Sequence, residues 1–146
     1  MSDYPKNERL LNAAKSGSLD ELKDALRAGA WPDAVDEDGN TALAHAALGC
    51  HRDLVEILIG SGANPCVRGS DCWTALHFAA REGDLYSVQL MTWQIGLFGW
   101  HDIHIKNIYG WTPTDTARKF GFEMVARWLE TKGADLSKNY WADLRD

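Results

Sequence analysis

The sequence lacks long apolar runs, a cysteine framework and any excess of positive charge, and each absence excludes a class of protein. No stretch approaches the roughly 20 apolar residues that a membrane-spanning helix needs, so we expect no membrane partner. The three cysteines are an odd number without disulfide spacing, which predicts free thiols and a cytoplasmic location. Fifteen basic against 21 acidic residues give a net charge of -6, which argues against nucleic acid as a partner.

The common short signatures of catalysis are absent as well. The chain has no G-x-x-x-x-G-K-[ST] phosphate loop, no H-E-x-x-H, no G-x-S-x-G and no C-x-x-C pair. We therefore expect neither enzyme activity nor a cofactor. With 146 residues, 45% of them hydrophobic and 25% charged, the composition is that of one ordinary soluble domain.

What the chain does contain is a repeat. Thr41-Ala42-Leu43 recurs 33 residues later as Thr74-Ala75-Leu76, and Thr112-Pro113-Thr114 follows after a further 38. The endings Gly62-Ala63-Asn64 and Gly133-Ala134-Asp135 recur too. A degenerate copy precedes these units and has equivalent residues at Leu10, Ala13, Ala14, Gly17, Gly29 and Ala30. A recurring unit of this length predicts a stack of four small modules.

These residues resemble the ankyrin repeat family, and the nearest match to its T-P-L-H-x-A-A pattern is the run from Thr74 to Asp84. The resemblance covers roughly residues 8–137. It implies an all-α fold, a solenoid of stacked helix-turn-helix units with projecting β-turn or hairpin fingers. We expect residues 1–146 to form a single domain that is a monomer when free. Its predicted parts are four units, at 5–37, 38–70, 71–108 and 109–137, and a C-terminal segment at 138–146 that either caps the stack or is a flexible partner-binding tail.

Residue types within the units predict where helices begin and end. The opening threonines are good N-caps, with Pro113 at a first helical position. Glycine ends a helix without a side-chain penalty, which is expected at Gly29, Gly62 and Gly133. Apolar residues at helical spacing in the second helices predict a shared core of Leu54, Ile57, Leu58, Val88, Met91, Val125, Trp128 and Leu129.

One histidine falls on the family's T-P-L-H position. The resemblance implies that His77 ties neighbouring units together by hydrogen bonds. Ala44 and Asp115 stand at the equivalent positions of the second and fourth units, so we expect this chain of bonds to be incomplete.

Unit three contains five extra residues within Gln94 to His101, and the stretch from Ile95 to Trp100 is apolar. A loop that had only grown longer would be polar. Two interpretations stay open: the second helix of this unit extends and packs Leu97, Phe98 and Trp100 on the stack, or these residues form a second contact surface.

A metal site is conceivable at His101-Asp102-Ile103-His104. His104 and Cys66 occupy the same repeat position in successive units, which could place an imidazole and a thiol on neighbouring loops. The alternative, which we favour, is that His104 replaces a residue that bonds to turn backbone. We therefore predict no metal site.

The resemblance also implies where a partner binds, because ankyrin proteins usually contact it with their finger tips and the concave edge of their first helices. Aromatic residues at such positions would act as binding anchors, and acidic ones would steer a basic partner. The alternative for Trp73 and Trp111 is that they pack on neighbouring fingers. The predicted contact residues are Glu37, Asp38, Asn40, Leu48, Ser70, Asp71, Trp73, Arg81, Glu82, Ile108, Tyr109, Trp111, Lys119 and Phe120.

The leading hypothesis for function is therefore a non-enzymatic module that binds a folded protein with a neutral or basic contact surface. The first alternative is a stoichiometric inhibitor that occludes a partner enzyme. The four-unit layout is similar to the small ankyrin inhibitors of cyclin-dependent kinases, and an ankyrin-type antitoxin or immunity protein fits equally well. An adaptor between two proteins is a further alternative.

Overall fold

The computed structural model describes residues 4–98 and 103–132, which form helices joined by short turns. The helices are α1 (Tyr4–Ser16), α2 (Leu19–Arg27), α3 (Ala42–Leu48), α4 (Arg52–Gly60), α5 (Ala75–Arg81), α6 (Leu85–Phe98), α7 (Pro113–Lys119) and α8, which begins at 123 and continues to 132. A 3-10 turn covers Ser70–Cys72. Across the described ranges, the isolated β-bridge is the pairing of Val35 with Thr41. The expected all-α repeat architecture is confirmed.

The helices form two rows. The first helices of the units, α1, α3, α5 and α7, lie side by side, and the second helices α2, α4 and α6 pack in the same order behind them. Three loops lead from a second helix to the next first helix; we name them finger 1 (31–41), finger 2 (64–74) and finger 3 (103–112). No helix in the described part of the chain is long and apolar enough to cross a membrane.

The three threonines begin their helices as predicted. Each hydroxyl accepts a hydrogen bond from the backbone N–H three residues on, at 3.1 Å for Thr41, 3.2 Å for Thr74 and 3.1 Å for Thr112. Satisfying such an otherwise unpaired N–H stabilises a helix by about 1 kcal/mol. Gly29 and Gly62 follow α2 and α4 in the left-handed region, with φ of 96° and 88°. Gly133 and the predicted capping segment at 138–146 lie outside the described residues.

Small and apolar residues build one continuous core between the two rows. The alanine pairs Ala46-Ala47 and Ala79-Ala80 are fully buried, which lets neighbouring helices approach closely. Most of the predicted second-helix residues are buried in this core, while Ile57 and Trp128 are only partly buried. The core also contains residues that we did not predict, including Val55, Ile59 and Ile95.

The apolar insertion in unit three lengthens a helix. Helix α6 has 14 residues, whereas α2 and α4 each have nine. Its added turn begins with two buried side chains: Ile95 lies in the core, and the Gln94 amide donates a hydrogen bond to the Ile59 carbonyl at 3.1 Å. The backbone therefore extends as the first interpretation expected. The side chains of Leu97 and Phe98, and all of Trp100, lie outside the described residues.

His77 ties units three and four together, as the resemblance implied. Its Nδ1 accepts a hydrogen bond from Thr74 N at 3.2 Å, so Nε2 carries the proton and donates to the Trp111 carbonyl at 2.8 Å. Burial lowers the pKa of His77 and outweighs its hydrogen bonds to backbone groups of Trp111 and Ile105. At the equivalent position the Asp115 carboxylate accepts from its own N-cap residue, Thr112 N, at 3.1 Å, and within 4–98 and 103–132 it has no bond to another unit.

Candidate functional site

Each finger is closed by the same backbone hydrogen bond. It joins Asp36 N to Asn40 O in finger 1 and Asn107 N to Trp111 O in finger 3, both at 3.0 Å. In these two fingers the side chain of the first residue also accepts from two backbone N–H groups of the turn, at 3.0 to 3.1 Å. Such side-chain bonds to nearby backbone favour a defined turn and hold it rigid.

Finger 2 has Gly69 at this position and is built differently. A Cβ atom on Gly69 would lie 2.1 Å from Asn40 Oδ1, so only glycine fits beside that amide. Asn40 Oδ1 instead accepts from Ser70 N at 3.1 Å. Asp71 and Cys72 take left-handed conformations, with φ of 55° and 61°. The predicted contact residue Asn40 thus has a structural role, which is to support the neighbouring finger.

Aromatic rings and two cations meet where fingers 2 and 3 join α5 and α7. Trp73 is half-buried and stacks on Phe78, with 5.1 Å between ring centroids and 27° between planes. The Arg81 guanidinium lies between two rings, 5.9 Å from the Trp73 centroid and 5.4 Å from that of Phe120. Both distances suit cation–π attraction.

A second cluster continues this surface on finger 3. The rings of Tyr109 and Trp111 are 5.1 Å apart, and Lys119 Nζ lies 5.2 Å from the Trp111 centroid. Trp111 is half-buried, whereas Ile108 and Tyr109 are each 59% exposed. We call the exposed residues Ile108, Tyr109 and Phe120, with Arg81 and Lys119, the aromatic end.

The opposite end of the same row of fingers is acidic. Glu37 and Asp38 are exposed at the tip of finger 1, and Asp71 is exposed at the tip of finger 2. Asp36 is engaged internally, because Oδ2 contacts His45 Nε2 at 2.7 Å and Lys15 Nζ at 3.5 Å. Burial raises the pKa of Asp36, but its hydrogen bonds from His45 and from the backbone N–H groups of the turn outweigh this, so the pKa lies below its ordinary value.

The remaining predicted contact residues lie close to these features. Leu48 ends α3 and is 40% exposed. Ser70 is exposed in the 3-10 turn, and Glu82 is half-buried just after α5. The structure places all fourteen predicted residues on fingers or at the ends of first helices, but their roles as contacts remain predictions.

Cysteine and histidine positions give no cluster of ligands. Within residues 4–98 and 103–132, no group of three or more His, Cys, Asp or Glu side chains could hold a metal ion. His104 is exposed, and His101 lies outside those ranges. In unit one the same repeat position is occupied by Asp33, whose carboxylate accepts from Asn64 N at 2.7 Å. This bond is the turn-supporting role that we favoured for the position.

The three cysteines are free thiols, as predicted. Cys50 is exposed, but the partial burial of its thiol, together with the carboxylates of Glu82 and Asp84, raises its pKa. It occupies the turn position where the other units have Gly17, Gly83 and Gly121, and it shares their left-handed backbone with φ of 55°. The signal in the sequence is a cysteine at a repeat position that is glycine in the other units.

Exposed apolar residues outside the predicted surface were also missed. The largest on unit one is Trp31, 62% exposed, accompanied by Val35 at 48%. Trp93 on α6 and Met124 on α8 are exposed on second helices. In the sequence, the equivalents of Trp31 and Val35 one unit later are the polar residues Asn64 and Arg68, which is the signal that could have identified them.

Comparison with known proteins agrees with this architecture. The family model for ankyrin repeats (three copies) matches residues 10–96. The mouse inactive serine/threonine-protein kinase TEX14 is 35% identical over 77% of this chain, and the mouse RelA-associated inhibitor 40% over 51%. The chain spans only 8% and 9% of those two proteins. Human cyclin-dependent kinase 4 inhibitor B is 30% identical over 88% of this chain and 90% of its own length.

Proposed function

Because the chain belongs to the ankyrin-repeat family, whose repeats mediate protein–protein interaction, we propose that it binds one folded protein through its finger tips and first-helix surface. The observation that carries this proposal is the aromatic end. Ile108, Tyr109 and Phe120 expose apolar surface beside two cations that are already stacked on rings. Exposed groups of this kind mark interaction sites.

The contacts within the aromatic end favour binding by ordering it in advance. Arg81 and Lys119 would otherwise lose side-chain freedom when a partner arrives, at about 0.5–1.5 kcal/mol each. Here Trp73 and Trp111 already hold them. We therefore assign direct contact mainly to the three exposed residues, and to the two half-buried tryptophans a supporting role with contact through their exposed edges.

The two ends of this surface differ in charge, because the tips of fingers 1 and 2 are acidic. Carboxylates at Glu37, Asp38 and Asp71 would speed the approach of a partner whose facing segment is neutral or basic. They would repel a phosphate backbone, which agrees with the net charge of -6 in disfavouring nucleic acid. We propose that the protein acts without catalysis, as a cytoplasmic monomer.

A specific observation favours inhibition as the consequence of binding. The chain spans 90% of human cyclin-dependent kinase 4 inhibitor B and matches it over 88% of its own length, so the likeness covers almost the whole of both proteins. We propose a stoichiometric inhibitor that occludes an enzyme, and cyclin-dependent kinase 4 is the first partner to test.

The test measures binding to purified cyclin-dependent kinase 4 and inhibition of its kinase activity at equal molar ratio. The variant Ile108→Ala, Tyr109→Ala, Phe120→Ala should weaken binding by more than about tenfold, since truncating anchors typically costs 1 kcal/mol or more each. The control Trp93→Ala, Met124→Ala removes apolar groups that are at least as exposed, at 61% and 74%, from second helices and should bind as the parent does.

Both variants must first show unfolding transitions close to that of the parent. If the kinase does not bind, the same three proteins serve as baits in a lysate of the native cell. A captured enzyme whose activity falls at equal molar ratio supports inhibition, and one whose activity is unchanged favours an adaptor. Capture that is unaffected by the triple variant would overturn the assignment of the surface.

A further inference from the structure

A groove of about 650 Å³ lies between α1 and finger 1, at the end of the stack remote from the aromatic end. Leu11 and Ala34 are buried in its wall, and Trp31 and Val35 border it. Asn7 fixes one side, because its Oδ1 accepts from Trp31 N at 2.8 Å. The groove is thus a formed feature with an ordered rim.

The apolar rim is unusual for an end unit of a repeat stack. Outer faces of terminal repeats are polar, since otherwise they associate with one another. Finger 1 departs from this rule, with Trp31 62% and Val35 48% exposed. The next unit has Asn64 and Arg68 at these places. At these two repeat positions the unit that borders the groove has apolar residues where the next unit has polar ones. This difference points to a ligand with apolar groups.

The backbone N–H groups at one equivalent position of the three fingers form a series that ends at Glu37, which borders the groove. Ile108 N of finger 3 donates to Asp71 O of finger 2 at 3.0 Å, and Ser70 N of finger 2 donates to Asn40 Oδ1 of finger 1 at 3.1 Å. Glu37 N is the equivalent group of finger 1, and no acceptor for it exists among the described residues. The ladder between fingers therefore ends on a donor that an incoming carbonyl could satisfy.

The charges around the groove favour a cation. Glu8, Glu37 and Asp38 border it and are exposed. Lys15 is the basic side chain that borders it, and its ammonium is 3.5 Å from Asp36 Oδ2, which offsets part of its charge. A lysine or arginine of a ligand would thus meet carboxylates in a partly enclosed site.

We propose that this groove binds an extended peptide segment of a partner protein. The segment places a backbone carbonyl on Glu37 N–H, an apolar side chain against Trp31 and Val35, and a lysine or arginine beside the acidic rim. This mode resembles the addition of a strand to an exposed edge, where main-chain bonds give affinity and side-chain contacts give specificity. It rests on the proposed function only in that the ligand is a protein.

The test is an NMR titration of the 15N-labelled chain with an acetylated, amidated heptapeptide of alternating lysine and leucine. The NMR signals of the Glu37 backbone amide and the Trp31 indole N–H should shift. A control heptapeptide of alternating glutamate and leucine, with the same blocked ends, should cause no such shifts. The variant Trp31→Asn, Val35→Arg gives finger 1 the residues of finger 2, so it should fold normally and lose peptide affinity by more than about tenfold.

The variant Ile108→Ala, Tyr109→Ala, Phe120→Ala should bind the peptide unchanged, which separates this proposal from that for the aromatic end. Three results would overturn it: no shift at Glu37 and Trp31, equal shifts with the glutamate peptide, or full affinity in the Trp31→Asn, Val35→Arg variant. Shifts that depend on protein concentration without peptide would show that a second copy occupies the groove and would also overturn it.

Discussion

The junction between units three and four is tied differently from the junction between units two and three. On the second-helix side of the former, Trp128 Nε1 donates a hydrogen bond to Thr92 Oγ1 at 3.2 Å. On that side of the latter, the Gln94 amide donates to the Ile59 carbonyl at 3.1 Å, and the Tyr86 hydroxyl donates to the Glu56 carboxylate at the surface. On the finger side of the former, the fully buried His77 ring donates a hydrogen bond to the carbonyl of the half-buried Trp111. The latter has Ala44 at that position, and exposed bonds replace it.

The finger-side bonds that join units two and three are weaker than the His77 bond because water reaches them. The Asn40 to Ser70 bond is exposed, and Arg52 reaches the buried Asp84 carboxylate at 3.0 Å with a side chain that is itself 62% exposed. The aromatic end therefore lies at the junction whose finger-side bond comes from a buried side chain, which keeps a binding surface in one arrangement. The acidic tips lie at the looser junction, whose finger-side bond is exposed.

The largest effect should come from His77→Ala. It removes the part-buried bond to Trp111 and both buried contacts of the ring with Thr74, and it leaves a cavity in the packed row of first helices. We expect the free energy of unfolding to fall by about 2–4 kcal/mol, the usual cost of an unsatisfied buried group with lost packing. Urea denaturation measures this directly.

The matched control is Asn40→Ala at the other junction. Its lost bond is exposed to water, so the cost should be about 1 kcal/mol or less. Equal losses in the two variants would mean that the junctions do not differ. Partner binding at the aromatic end should weaken in His77→Ala even under conditions where the protein remains mostly folded.

A smaller effect of the same residue should appear on acidification. Burial holds the pKa of His77 below its ordinary value of 6.5, so between the two values the unfolded chain binds more protons than the folded one. Stability therefore rises with pH across this window and falls as the pH drops below about 6.5. Urea midpoints measured from pH 7.5 downward should show this decline in the parent.

The same series on His77→Ala isolates the histidine, because the difference between parent and variant should shrink as the pH falls. A difference that stays constant with pH would contradict the assignment of a neutral, buried imidazole. The loss on protonation should be smaller than that in His77→Ala, since the ring still fills its space and Nε2 still donates to Trp111.

Most of the fold was predictable because its signals are local. A threonine that caps a helix and an alanine that allows close packing act through their nearest neighbours, so Thr74 and Ala79 could be interpreted from sequence alone. Contacts that depend on two distant residues could not be. Nothing in the sequence near Gly69 shows that the Asn40 amide fills its place, and the position of Arg81 between Trp73 and Phe120 depends on three elements meeting.

The sequence predicted where the fourteen candidate contact residues lie, but not what each side chain does there. Repeat register placed the fourteen residues on fingers and helix ends, since register is a property of the chain. Exposure depends on what packs above each residue, which is why Trp73 and Trp111 are half-buried while Ile108 and Phe120 are open. The apolar rim at Trp31 gives no repeat signal, because it is a departure of one unit from the pattern that the units share.

The smallest effect concerns the turn between α3 and α4, which also lies at the looser junction. Cys50 has φ of 55°, where the equivalent Gly17 and Gly83 have 76° and 69°. Rings of the following unit fill the space beside those glycines: an added Cβ would lie 2.6 Å from His51 and 2.4 Å from Phe122. Beside Cys50 the residue at the place of these rings is Asp84. Its side chain is shorter than a ring, so a Cβ atom is tolerated at Cys50.

Cys50→Gly should therefore stabilise the protein slightly. A left-handed conformation costs a residue with a side chain about 1–2 kcal/mol, and glycine offsets part of that relief by about 0.5–1 kcal/mol through its freer unfolded chain. The free energy of unfolding, measured in urea with a reductant present, should rise by about 1 kcal/mol or less. Cys50→Ala keeps the strained backbone and should give no rise. An equal rise in both variants would assign the effect to loss of the thiol, and the turn would then not contribute to the weakness of this junction.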